Sequence, residues 1–164
     1  GSPLHIALEL FKQRTGTNIL HVPYKGSAPA LQDLMSGQVN SIFVDLPPSL
    51  ALIRSGNVRV LAVAAPERLA VLPDVPTMAE AGLEGFEANA WQVLVGPDKM
   101  PANIVSILSK QLIAAQNDPD TRKKLEELGI IPLVMTPDVL TKFVRSEQKL
   151  WAEVIKAAGI QPQD

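Results

Sequence analysis

A short apolar run, from Val58 to Ala65, limits the possible folds of this chain more than any other segment. It consists almost wholly of Val, Leu and Ala, and such a run predicts a β-strand that is buried on both faces. Strands of this kind belong to parallel sheets, in which successive strands are joined by helices that cover the sheet. The run therefore predicts an α/β fold.

The segments before this run complete the pattern. Ser2 and Pro3 are typical of a helix start, and Gly16 is typical of a helix end. A second helix is predicted from a cap at Ser27 to Gly37, and a short third helix follows it. The predicted strands are residues 18–22, 38–44 and 58–65. The order after the first helix is therefore βαβαβ.

The second half of the chain is richer in helix than in strand. A capping box, in which Thr77 and Glu80 satisfy each other's free amide, predicts a short helix in a turn-rich segment. Residues 88–95 are predicted to form a long strand that contains Trp91, and residues 130–134 a weak one. Three helices are predicted to begin at Pro101, Pro119 and Pro137. Because a sheet needs several strands to bury its faces, these helices need strands supplied from elsewhere.

Composition and motifs exclude several classes of function. Lys+Arg 15 against Asp+Glu 17 gives a formal net charge of -2, so the positive surplus that nucleic acids or acidic membranes attract is missing. Cys 0 excludes disulfides and a cysteine nucleophile, and aromatic residues at 4% argue against a stacking platform. Neither a nucleotide-binding glycine motif nor a metal motif occurs, so we predict no cofactor and no metal. No leader or membrane span is present, and we expect a soluble chain that is mature or trimmed.

The sequence features that could bind a ligand are helix starts that follow strands. At Ser2 and at Gly26-Ser27, backbone N–H groups and hydroxyls meet the positive end of a helix dipole, which favours a carboxylate or phosphate. The alternative is that both are ordinary N-caps, as single serine caps usually are. Tyr24 and Lys25 lie in the turn before the second start. Both side chains could line a cleft. The alternative is that the Tyr24 ring belongs to the core and that Lys25 points into solvent.

Three further side chains are candidates for binding. Asp45 follows an apolar strand at the end of the sheet where α/β proteins bind ligands, and it either accepts a ligand hydrogen bond or caps the next helix. His5 lies near the positive end of the first helix, which disfavours the imidazolium, so we expect a neutral histidine, structural or facing ligand. Trp91 is either a core residue or part of a segment that crosses between two lobes.

Five stretches of the sequence carry a family resemblance. They are SPLHI from Ser2, HVPYKGSAPA from His21, LMSGQV from Leu34, GNVRVLAVA from Gly56 and PDVPTMAEAG from Pro73. Together they resemble the substrate-binding proteins of tripartite tricarboxylate transporters, also called the Bug family. The resemblance extends over the whole chain. Because members of the family are close to twice as long, it implies a C-terminal portion of such a protein.

The resemblance implies a periplasmic receptor with the type II periplasmic-binding-protein fold, an α/β fold of two lobes that is present here only in part. Residues 1–87 would form most of the second lobe. Residues 88–164 would hold the crossing strand and the helices that complete the first lobe. The precursor would carry a signal peptide, and the receptor would serve uptake through membrane permease subunits, or sensing.

The implied function is binding of a small carboxylate or dicarboxylate in the cleft between the lobes, without catalysis. Carried over to this sequence, the ligand-binding residues are Gly1, Ser2, His5, Tyr24, Lys25, Gly26, Asp45 and Trp91. Because half of the cleft is missing, we expect this polypeptide alone to bind weakly or not at all. A domain-swapped or fragment-complemented assembly would supply strands for the unpartnered helices.

Two alternatives belong to other classes of function. A small α/β enzyme acting on an anionic substrate would need a general base with a partner, so His5, His21 or Asp45 would have to pair at hydrogen-bond distance. A regulatory effector-binding module would need an attached DNA-binding segment, which this sequence does not contain.

Overall fold

Six α-helices are found in the computed structural model, which describes residues 2–160. They are α1 (Pro3–Thr15), α2 (Ser27–Met35), α3 (Leu46–Arg54), α4 (Ala102–Asn117), α5 (Pro119–Glu127) and α6 (Pro137–Ala158). Each corresponds to a helix that the sequence predicts. Long, locally specified helices are the elements that sequence patterns identify best, because their signals lie within one or two turns.

The helix boundaries follow the caps that the sequence provides. The Ser2 hydroxyl accepts a hydrogen bond from the His5 amide, with Pro3 in the first turn. The Asp118 carboxylate accepts one from the Thr121 amide at 2.8 Å, which lowers the pKa of Asp118. At the other end of α1, Gly16 takes a left-handed conformation with φ 66, which glycine adopts without a steric cost.

The capping box at Thr77 is formed, but the helix predicted after it is not. The Thr77 amide donates to Glu80 Oε2 at 2.8 Å, and the Glu80 amide donates to Thr77 Oγ1 at 3.1 Å. Arg68 also binds the Glu80 carboxylate, and this contact, followed by the Thr77 amide, lowers the pKa of Glu80. Residues 78–82 form turns instead, and Gly82 has φ 98, outside the helical region.

The predicted strands do not form a hydrogen-bonded sheet within residues 2–160. One parallel bridge joins Val63 and Thr77, with the Val63 amide donating to Pro76 O at 2.9 Å and the Met78 amide donating to Val63 O at 2.9 Å. The other predicted strands are not assigned as strands in the described chain; they are residues 18–22, 38–44, 88–95 and 130–134. A strand exists only through a neighbour's hydrogen bonds. Among the described residues, the Ala88 amide bonds Ala64 O at 3.3 Å, but residues 88–95 do not continue this into a ladder.

A small hydrophobic core joins the first half of the chain to the last helix. Its buried members are Leu10, Met78, Phe86 and Val154. The partly buried residues packed around it include Phe11, Phe43, Ala64 and Trp151. Gln13 of α1 also donates a hydrogen bond to Val154 O at 3.4 Å. The C-terminal half of α6 therefore packs against α1, although some 140 residues of sequence separate the two contacting positions.

Much apolar surface remains uncovered in this structure. The accessible surface is 11677 Å², whereas a compact monomer of this length exposes roughly 8,000 Å². No residue of α4 is buried, and exposed side chains include Leu20 at 84%, Leu61 at 67% and Val95 at 78%. These residues lie in segments with the composition of buried strands and helices. None of the helices in the described part of the chain combines the length and apolar character that a bilayer crossing requires.

Candidate functional site

The start of α1 is one of the two predicted anion-binding helix starts. Ser2 is exposed, and its hydroxyl caps the helix through the His5 amide at 3.3 Å. Helix starts leave backbone N–H groups without partners inside the helix, and the dipole adds positive potential there. The position is therefore open to an anion. Gly1, the residue predicted to bind beside Ser2, lies outside the described residues.

His5 stacks on His21, a contact that the sequence did not predict. The two ring centroids are 3.8 Å apart and the ring planes differ by 6°. Glu9 Oε1 lies 3.8 Å from His5 Nε2 and 2.8 Å from Lys12 Nζ. Stacked rings present their faces rather than their nitrogens to each other, so this is not the geometry of a general base and its partner. No group of three or more side chains able to hold a metal ion was found in the described part of the chain.

Both histidines have a lowered pKa. Burial is the main cause for His5, followed by the neighbouring His21, and burial is also the main cause for His21, with Glu9 acting in the opposite direction. The direction agrees with the neutral His5 expected from the sequence. The physical cause differs, because burial and the second ring dominate where the sequence argument invoked the helix dipole.

The turn before α2 is braced by Tyr24. Its hydroxyl donates to Asp33 Oδ2 at 2.7 Å, and this hydrogen bond is the main reason that the pKa of Tyr24 is raised. Lys25 is exposed. Gly26 occupies the N-cap position with φ 106 and ψ 174, and Ser27 is the first helical residue. The predicted Ser27 cap is therefore wrong, because the sharp turn at Gly26 moves the helix start forward by one residue.

Asp45 lies at the N-cap of α3, but its side chain makes no capping hydrogen bond. Its backbone carbonyl instead accepts from the Ser49 hydroxyl at 3.1 Å. Since Asp45 is exposed, its carboxylate is available to solvent or to a ligand. Two residues earlier, Phe43 contacts Phe11 of α1 with ring centroids 5.9 Å apart, so the chain leading to Asp45 passes beside α1.

Trp91 is held by α6 and not by the helix starts. Its indole N–H donates to Glu147 Oε2 at 2.9 Å, and its ring meets Phe143 edge-on with centroids 5.6 Å apart. The same Glu147 oxygen accepts from Trp151 at 3.0 Å. Sequence reasoning missed Glu147. Its position four residues before Trp151 on a helix was the available signal, since residues at that spacing share a face.

We expect the Glu147→Ala substitution to destabilise the chain by about 1–2 kcal/mol, because it leaves two half-buried indole N–H groups without their acceptor. Glu147→Gln keeps an acceptor and should cost less. Urea unfolding, followed by the fluorescence of the two tryptophans, measures both effects. Glu153→Ala, at an exposed position on the same helix, is the matched control. Equal midpoints for the Glu147→Ala and Glu153→Ala variants would show that the bridge contributes nothing.

Two contacts group most of the predicted binding residues that the structure describes, and Asp45 belongs to neither group. The start of α1 and the segment leading to Tyr24, Lys25 and Gly26 are joined by the histidine stack. Trp91 instead borders a small groove of about 70 Å³ with residues of α4 and α6. A larger open groove, of about 440 Å³, lies between α4 and Pro137, and none of the predicted binding residues lines it.

Comparison with known protein families gives a match over nearly the whole chain. Residues 1–160 match the model of the tripartite tricarboxylate transporter family receptor. Among curated proteins, BugT of Bordetella pertussis is 36% identical over 159 residues, which are 97% of this chain and 49% of BugT. The chain therefore spans about half the length of the curated relatives it matches first.

Solved structures give the same result. R. palustris Rpa4515, solved with adipate, has a TM-score of 0.89 and 39% identity, over 99% of this chain and 55% of that one. MatC of Rhodopseudomonas palustris, solved with bound malate, has a TM-score of 0.80 and 34% identity, over 93% of this chain and 53% of that one. This chain is thus similar to about half of the α/β fold of each of these two proteins.

Proposed function

Because this chain belongs to the tripartite tricarboxylate transporter family of receptors, we propose that it contributes one side of a binding site for a small dicarboxylate. The observation that carries the proposal is its similarity to receptors solved with adipate and with malate. Both ligands are short organic dianions. The receptor releases such a ligand unchanged, so its residues bind and orient and do not make or break bonds.

The described residues supply the chemistry that a carboxylate needs. The start of α1, with Ser2, and the start of α2, with Gly26, offer backbone N–H donors at the positive ends of two helix dipoles. Lys25 adds an exposed positive charge beside the second start. The exposed carboxylate of Asp45 would accept a ligand hydroxyl or order a water. Charge-assisted hydrogen bonds of this kind are stronger than neutral ones.

The site is completed by residues that this chain does not contain. We assign residues 1–87 to most of one lobe, and residues 88–164 to the crossing segment and to helices that complete the other lobe. The uncovered apolar surface of α4 and of residues 130–134 supports this assignment. The chain exposes more surface than a compact monomer of its length does. Closure of two lobes around the ligand would exclude water and strengthen its hydrogen bonds.

Membership of the family supports a cellular role. The receptor would act in the periplasm, where it would deliver its ligand to the membrane permease subunits of the transporter or to a sensing partner. Relatives with solved structures include a periplasmic binding protein, BugD. Trp91, in the crossing segment, would then lie near the ligand only when the missing part of the first lobe is in place.

Calorimetric titration of two protein forms tests this proposal. One form is this 164-residue chain. The other, called here the completed receptor, joins the chain to the part of the adipate-bound R. palustris relative that it does not cover. We expect micromolar binding of adipate or malate by the completed receptor and binding at least a hundredfold weaker by the chain alone, because one lobe provides only half of the contacts.

A matched pair of lysine variants tests which residues bind. Lys25→Met should weaken binding to the completed receptor about tenfold, whereas Lys110→Met, on α4, should leave it unchanged. Micromolar binding by the chain alone would contradict the divided site. No binding of any dicarboxylate by a folded completed receptor would contradict the function itself.

A further inference from the structure

The His5–His21 stack joins two segments that the proposed site brings to one ligand. His5 lies in the first turns of α1, and His21 lies three residues before Tyr24, in the segment that enters the turn at Gly26. The rings overlap almost face to face, at 3.8 Å and 6°. Both residues are partly buried. The contact therefore fixes the distance between the start of α1 and the chain that leads to Lys25.

Further hydrogen bonds fix the rest of the turn. Tyr24 holds it to α2 through Asp33 at 2.7 Å, and the amides of Gln38 and Val39 bond the Asp33 carbonyl. The turn is thus fixed to its own helix by Tyr24 and to α1 by the stack. A variant that loses the stack would keep the attachment of the turn to α2 through Tyr24.

We propose that His21 is a positioning residue for the carboxylate site, which holds the turn at Lys25 and Gly26 against the start of α1 through its stack on His5, and that protonation of the pair releases the turn. The inference rests on the proposed function for its ligand. His21 need not touch the ligand, and it acts through His5. The consequence is a receptor that binds dicarboxylates at neutral pH and loses affinity as the pH falls.

The charged groups around the pair determine the direction of this effect. Glu9 raises the pKa of both histidines, while burial, Lys12, the amino terminus and, for His5, the other ring lower it, with burial the largest contribution. The net shift of both groups is downward, so the folded state binds fewer protons than the unfolded state at pH values near and below 6.5. The stack is fully present above the ordinary pKa of histidine and is lost as the pH falls through the lowered values.

The first test follows the imidazole signals of this chain by NMR from pH 8 to pH 4.5. His5 and His21 are its only histidines, so the spectra are simple to assign. We expect both pKa values to lie below 6.5, and the amide signals of Lys25 and Gly26 to move with the same titration. In His21→Phe the pKa of His5 should rise, because the second charge is gone. Leu20→Ala, an exposed position next to His21, should change neither value.

The second test measures dicarboxylate affinity of the completed receptor at pH 7.5 and pH 5.5. We expect wild type to bind more weakly at pH 5.5, by up to about tenfold for each histidine, because a pKa below 6.5 limits the protonated fraction at that pH. His21→Phe keeps a ring in the stack, so it should bind like wild type at pH 7.5 with a smaller pH effect. His21→Ala removes the ring and should bind about tenfold more weakly at both pH values.

The two tests separate the possible failures. If no dicarboxylate binds the folded completed receptor, the proposed function fails, and the NMR titration alone decides whether the pair controls the turn. Affinity that rises as the pH falls would overturn the positioning role, because it would mean that protonated histidine attracts the anion directly. Turn amides that do not follow the histidine titration would overturn it as well.

Discussion

Replacing Phe86 by alanine is expected to lower the free energy of unfolding by about 3–5 kcal/mol, the usual cost of deleting a fully buried phenylalanine. Phe86 is 1% exposed. Its ring contacts Phe11 at 6.2 Å and Phe43 at 6.1 Å between centroids. These rings belong to α1, to the segment before Asp45 and to the segment after the capping box. The substitution therefore removes a contact shared by three parts of the chain.

The loss should be decisive because the rest of the core is small. Typical domains are stable by only 5–15 kcal/mol, and this chain leaves much of its apolar surface uncovered. Circular dichroism in a urea series measures the change. Leu61→Ala, at a residue that is 67% exposed, is the matched control and should stay within about 0.5 kcal/mol of wild type. A Phe86→Ala variant as stable as this control would show that the cluster does not hold the fold.

The helices of this chain could be predicted from sequence and the sheet could not, for one physical reason. A helix start such as Ser2-Pro3 or Asp118-Pro119 is specified by side chains within one turn of the amides they cap. A strand such as residues 18–22 depends on a neighbour that is distant in sequence. Within residues 2–160, the bridge between Val63 and Thr77 is the one place where a predicted strand pairs as β-structure with another segment.

The candidate site also combines features that the local sequence predicts with contacts that it does not predict. The cap at Ser2 follows from a local signal, whereas the lowered pKa of His5 is caused mainly by burial and by His21, which no local signal predicts. Two other contacts join residues that are distant in sequence. His5 stacks on His21, 16 positions away, and Trp91 bonds Glu147, 56 positions away. No local sequence pattern predicts either contact. Local reasoning also placed the second cap at Ser27, because it could not foresee the conformation of Gly26.

Substituting alanine at Gly26 is expected to reduce dicarboxylate affinity of the completed receptor by about 5- to 150-fold. Gly26 has φ 106 and ψ 174, a region that is essentially restricted to glycine and costs other residues about 1–3 kcal/mol. A Cβ at this position would meet no atom within 4 Å, so the cost is backbone strain without a clash. The variant can relieve the strain only by leaving the turn conformation that presents the α2 amides. The free energy needed to restore that conformation on binding is the strain energy, and it corresponds to the stated loss in affinity.

Gly37→Ala separates this effect from a general loss of stability. Gly37 also has a positive φ, of 75, with open space around it, but it lies just beyond the opposite end of α2, away from the proposed site. Alanine there should cost about 1–2 kcal/mol of stability and leave affinity unchanged. Thermal unfolding and calorimetric titration of the two variants give both quantities. If Gly37→Ala weakens binding as much as Gly26→Ala, or if Gly26→Ala binds like wild type, the start of α2 does not hold the carboxylate.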